Sequence, residues 1–272
     1  WRPCAAACSP ICRVTWVWTS KWSKHRLNRN PAPIMGRVKA MGIHTITTTT
    51  ERLPLLRLMQ LISPSLPIGR FTYSQGLEWA AEAGWVDNRE SLQQWLSEQI
   101  DTSLARVDLP LLLRFIAASK HQDLESCREW TDVLLACRET AELRQEEQQR
   151  GRALASLCQQ LSIPGDVDWY AELKRTQLAC FAHAAVSWSI NPETILTGYA
   201  WSWLENLVLA AVKIIPLGQT SGQVALFRLA ERLPAVIERA QQLQDDELGA
   251  SSMALAMASS RHETQYTRLF RS

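Results

Sequence analysis

From Leu53 to the end of the chain, apolar residues recur almost everywhere at steps of three and four, and no Val- or Ile-rich alternating stretch interrupts them. A period near 3.6 places those side chains on one face of a helix, whereas a half-buried strand needs a period of two. This pattern alone predicts an all-α fold: a single-domain bundle of about eight to ten helices. With 46% apolar residues in a 272-residue chain, there is enough material for a sizeable core.

Element boundaries follow from local chemistry. Leu55, Leu58, Met59 and Ile62 form a first stripe, which Ser63-Pro64 and Pro67 stop. Phe71 to Ala83 reads as a second helix ended by Gly84. Asp87 or Asn88 can cap a third, with Leu92, Trp95, Leu96, Gln99 and Ile100 as its inner stripe. Asp108 before Leu109-Pro110 reads as an acidic cap on an apolar helix to Ala118. A long polar helix is expected over residues 122–161, with a break near Gly151 and a solvated charged face around Glu142, Glu146 and Arg150. Trp169 to Ser189 reads as one amphipathic helix. Asn191-Pro192-Glu193 opens a nearly all-apolar helix to Ile215, expected at the bundle's centre. Glu205, Lys213 and several polar groups argue against a membrane span there. Two more helices follow, over residues 219–233 and 234–243.

Charge divides the chain unevenly. Residues 1–50 hold eight Lys or Arg and no acid, so the remaining 21 basic and 27 acidic residues leave the body at −6. An acidic body gives no reason to expect nucleic acid as a partner. The leader carries four of twelve tryptophans and three of seven cysteines, and no helical or strand period runs through it. An organellar transit peptide and a basic, Trp-interleaved membrane or nucleic-acid contact are both readings of it. The abrupt change in composition favours a third: an over-long reading frame, with Met35 or Met41 as the natural start. Residues 1–50 are accordingly expected to be disordered or not native. Cys4, Cys8 and Cys12 step by four, but prolines at 3 and 10 oppose a helix and no metal site is expected. Cys127, Cys137, Cys158 and Cys180 sit in helical patterns as small buried thiols, with no disulfide framework, which fits a reducing cytoplasm.

Catalytic constellations are not found. His262-Glu263 lacks the second histidine of a zinc-protease helix, since Tyr266 stands there. Gly218-Gln-Thr-Ser-Gly222 lacks the lysine of a phosphate-binding loop, and His183 lies on a mixed Ala-Phe-Trp face as a satisfied core histidine. Candidate interaction residues are better marked. Pro64, Pro67 and Gly69 make a stiff loop presenting Phe71 and Tyr73. The tail sets Tyr266, Leu269 and Phe270 beside Arg261, Arg268 and Arg271, residue types that concentrate binding energy at interfaces. Residues 259–272 are too short and polar to fold alone and are expected to order on a partner. Pro216 to Gln223 reads as a turn longer than a helix link needs, presenting Gln219 and Gln223, with Lys213 one turn upstream.

Four segments taken in order, Leu66 to Ser74, Trp201 to Asn206, Pro216 to Gln223 and His262 to Phe270, resemble the motifs of the urease accessory protein UreF family, and the resemblance covers residues 53–272. Arg70 departs from it, where the family carries glycine or a small residue. The resemblance implies a non-enzymatic, cytoplasmic all-helical chaperone of residues 51–258 that works as a homodimer without a cofactor. It implies three partners: UreD (also called UreH), ordering the C-terminal tail, the GTPase UreG, and apo-urease, into which nickel is inserted. Partner-binding residues are expected at Phe71, Tyr73, Lys213, Gln219, Gln223, His262, Glu263, Tyr266, Arg268, Leu269 and Phe270. The competing readings are a GTPase-activating protein acting on UreG, and a nickel-binding protein using His262, His183 and the cysteines.

Overall fold

A computed structural model describes residues 49–69 and 72–271, and among them every regular element is helical. Expectations that fall on the leader, on Arg70 and on Phe71 lie outside the described residues. The described residues make one compact unit. Its α-helices are α1 (Thr49–Ile62), α2 (Leu77–Glu82), α3 (Arg89–Gln99), α4 (Leu109–His121), α5 (Leu124–Ala136), α6 (Ala141–Gln160), α7 (Val167–Leu173), α8 (Gln177–Ser187), α9 (Pro192–Ile214), α10 (Gly218–Ala230), α11 (Leu233–Gln242) and α12 (Met253–His262). A π-helical segment, Ile100–Asp108, joins α3 to α4 without a turn.

Side-chain caps account for most helix starts. Asn88 and Ser91 form a reciprocal capping box at α3. Asp123, Thr140, Asp166, Thr176, Asn191 and Ser252 each accept a backbone N–H in the first turn of α5 to α9 and of α12. Two of these caps divide what periodicity had joined. Thr140 separates α5 from α6, and Thr176 separates α7 from α8. No break occurs at Gly151; a Cβ there would stand 2.7 Å from the Thr176 carbonyl carbon, so the glycine lets α6 pass the start of α8. The second helix is shorter than expected. It starts at Leu77, because Gln75 and Gly76 both adopt left-handed φ, 52° and 75°.

Packing centres on α8, in which every residue from Gln177 to Ala185 is buried, enclosed by α4 and α6. The long α9 buries one face on α1, α4, α10 and α11, so α8 rather than α9 is the more enclosed helix. The stripe expected on α3 is buried as read, from Leu92 through Ile100. On α1 the inner residues are Leu58 and Leu61, while Leu55 and Met59 face outward. Asp108 is not a cap. Its backbone is helical, and its carboxylate turns inward to Arg138, because the π-helical segment carries the chain straight into α4. Nor is residues 216–223 a long turn: Ile215 to Leu217 make the whole connection, and Gly218 already begins α10. Gly222 lies against Val212 of α9, where a Cβ would come within 2.5 Å, so this glycine serves close helix packing.

Candidate functional site

The chain's end folds back onto its own bundle, and the seat that holds it is built from α2, the start of α6 and the loop before α2. Glu78, on α2, is nearly buried and takes two successive backbone N–H groups of the tail, Leu269 at 2.6 Å and Phe270 at 2.8 Å. Charge-assisted bonds of this kind are among the stronger hydrogen bonds in proteins. Arg271 N donates to Thr72 O at 2.7 Å, so a third successive tail amide is taken up. Phe270 is 4% exposed and lies under the Lys213 amine, which stands 5.9 Å from its ring centre. An ammonium over a ring face at that range is attracted to the ring's negative face.

His262, at the end of α12, is wholly buried between two carboxylates. Its Nδ1 lies 2.7 Å from Glu142 and its Nε2 lies 3.2 Å from Glu78. Glu142 also accepts from Arg268 at 2.7 Å. Two carboxylates, one imidazole and one guanidinium thus knit α2, α6, α12 and the tail together. Glu263 adds an unusual cap: its Oε1 accepts from the first amides of α6, Ala141 at 2.9 Å and Glu142 at 3.4 Å. A carboxylate at a helix N-terminus is favoured by the unpaired N–H groups and the dipole. Thr140 Oγ1 and Ser259 Oγ close the same corner at 2.7 Å. Tyr73 is buried and donates to Gln149 on α6 at 2.7 Å; burial, helped by the Glu146 charge, pushes its phenol above the ordinary 10.0.

Of the residues singled out from sequence, Tyr73, Lys213, His262, Glu263, Arg268 and Phe270 meet in this seat. Tyr266 and Leu269 point away from it, Tyr266 being fully exposed. Gln219 and Gln223 occupy the exposed outer side of α10, whose start has no side-chain cap. Sequence reasoning missed Glu78 and Glu142 as tail receptors, and it placed the acidic face of α6 in solvent. Glu142, Glu146 and Glu147 are buried instead. A signal was present: Leu143, Glu147, Gly151, Leu154 and Cys158 share one helical stripe, so Glu147 interrupts an apolar face rather than decorating a polar one.

Glu147 belongs to a second buried cluster directly behind the seat. Arg138 Nη2 donates to Asp108 at 2.7 Å and to Glu147 at 2.8 Å. Tyr199 donates to Asp108 at 3.3 Å, and the amide of Gln177 donates to Glu147 at 3.1 Å. Burial pushes the Asp108 carboxyl up against the pull of Arg138. Burial also opposes the Arg138 charge, but Asp108 and Glu147 outweigh it and hold that guanidinium well above its ordinary value. Elsewhere, His183 is the satisfied core histidine expected: Trp169 Nε1 donates to its Nδ1 and its Nε2 donates to Pro164 O, each at 2.6 Å. Among the described residues no group of three His, Cys, Asp or Glu is arranged to hold a metal ion, and no helix is long and apolar enough to cross a membrane.

The family model for UreF matches residues 86–230, more than half of the chain. The chain belongs to the UreF family. A urease accessory protein UreF of Alcanivorax borkumensis is 50% identical over 222 residues, covering 79% of this chain and 97% of its own length. One from Pseudomonas putida strain W619 is 52% identical over 220 residues, with 81% and 98% covered. That of Enterobacter sp. strain 638 is 45% identical over 217 residues, with 80% and 97% covered. The tail seat therefore belongs to a UreF-family protein.

Proposed function

We propose that this UreF-family chain is a urease maturation factor: a non-catalytic, homodimeric, cytoplasmic scaffold that joins UreD and the GTPase UreG to deliver nickel to apo-urease. The observation that carries this reading is the two-sided tail. His262, Arg268 and Phe270 fix it to the bundle, while Tyr266 and Leu269 are left 103% and 67% exposed. An exposed aromatic and an exposed leucine, held by a rigid base and flanked by arginines, make an interface centre at low ordering cost. The outer face of α10, with Gln219 and Gln223, and the neighbouring Lys213 supply a second surface for the GTPase. Phe71 is assigned to partner binding from the sequence alone.

The test is co-purification of UreD with the tagged chain carrying Tyr266→Ala and Leu269→Asp together. Both side chains face outward, so the variant should keep its helical circular dichroism and melting temperature. UreD capture and urease activation in cells should both be lost. UreD captured at the parent's level by this variant would overturn the assignment of the tail. Light scattering of the lone protein checks the homodimer.

A further inference from the structure

The connection between α5 and α6 spans residues 137–140 and is held from two sides. On the inner side Arg138 bridges Asp108, the last residue of the π-helical segment, and Glu147 of α6. On the outer side Thr140 meets Ser259, and the two amides that follow it donate to Glu263. Arg144 fastens the connection to its own helix by donating to Arg138 O at 2.6 Å. Glu139 is exposed and Cys137 only half-buried, so the two anchors of this connection are Arg138 within and Thr140 without.

We infer that Arg138 is a positioning residue for the C-terminal tail: by bridging Asp108 and Glu147 it fixes where Thr140 and the first turn of α6 stand, and so couples the π-helical segment to the tail's hold. Both bonds leave one nitrogen, Nη2, at the far end of the arginine side chain, a point that the shorter lysine stem does not reach. Loosening that bridge frees the connection to shift. Ser259 and Glu263 would then lose their aligned partners, and Glu142, the receptor of His262 and Arg268, would move with the helix start. Segments of π-helix are frequent at functional positions, and this one ends on the carboxylate that Arg138 grips. The tail supplies the two-state element that such coupling needs, docked or undocked. This inference deepens the reading of the tail as the docking element, but its measurement needs no partner.

Hydrogen exchange read by mass spectrometry on the full chain tests it, comparing residues 260–271 with α8. Arg138→Lys keeps the charge but ends one bond short of where Nη2 holds both carboxylates. Its tail should exchange about tenfold faster than the parent's, with α8 unchanged. Tyr199→Phe, which removes only the bond to Asp108, should give a smaller acceleration confined to the same residues. If Arg138→Lys does not fold, Glu147→Gln is read in the same way. Tail exchange at the parent's rate in a folded variant, or equal acceleration of tail and α8, overturns the inference. Faster tail exchange with undiminished UreD capture would leave the coupling intact and count only against the proposed function.

Discussion

Glu78 accepts the backbone N–H of Phe270 at 2.8 Å across a separation of 192 residues, and the same carboxylate lies 3.2 Å from the buried ring of His262. One acidic side chain thus receives both the end of the last helix and the segment beyond it. Burying a carboxylate is costly unless it is paired and fully hydrogen-bonded. Here the tail supplies the partners, which makes the tail part of the folding energetics.

Truncation after Glu263 should therefore do two things. It removes the amides and the guanidinium that satisfy Glu78 and Glu142, so urea denaturation should show a loss of about 1–3 kcal/mol. The bundle should remain helical, and UreD should no longer be captured. A truncated protein as stable as the full chain would mean that the tail's contacts contribute nothing in solution.

Replacing His262 by alanine leaves two buried carboxylates facing each other without the ring between them. Each carboxylate loses one hydrogen-bond partner, at a cost of about 1–3 kcal/mol for each. Equilibrium unfolding should place His262→Ala far below Tyr266→Ala, whose side chain is exposed. Equal stabilities would show that the ring is not held as described.

Acid should weaken the fold through His183. Burial, the larger influence, holds its pKa below the ordinary 6.5, against the opposing bond to Pro164. Between those two values the unfolded chain binds a proton that the folded chain does not, so stability falls as the pH drops through this window. Above 6.5 the contribution is fully present. Denaturant midpoints measured from pH 7.5 to pH 5 should decline, and His183→Gln should flatten the decline while lowering the plateau.

On α10 the inner and the outer sides should behave oppositely. Gly222→Ala drives a Cβ against Val212, and overpacking of this kind costs about 1–3 kcal/mol. Changing Gln219 and Gln223 to alanine should alter stability by no more than about 0.5 kcal/mol, as for other exposed sites, while lowering recruitment of UreG. A pull-down paired with a thermal melt checks both halves.

Much of this architecture was legible in the chain. The stripe from Leu92 to Ile100, the Asn191-Pro192 start and the cap at Gly84 stand where periodicity and capping chemistry put them. What escaped was long-range. Asp108 has every local mark of a cap, and only its distant partners Arg138 and Tyr199 turn it inward. The acids of α6 look solvated until α8 and the tail cover them. Glycines at 218 and 222 resemble a turn, although one opens a helix and the other lets α10 approach Val212. The tail seat joins residues 72–78, 142–149 and 262–271, a juxtaposition that local pattern does not encode. The aromatic and basic chemistry of the tail was readable, but not which side chains face inward.

The alternation along the tail has one last implication. Phe270 is held inside by groups from α2 and α9, and only when those helices have met does the backbone between Thr264 and Leu269 acquire a fixed course. Tyr266 and Leu269 then stand at a set distance from one another on a firm base. A chain still collapsing would trail the same two side chains at no fixed spacing. A partner that gripped both would therefore be sensitive to the completion of folding itself, and would recruit finished copies in preference to nascent ones.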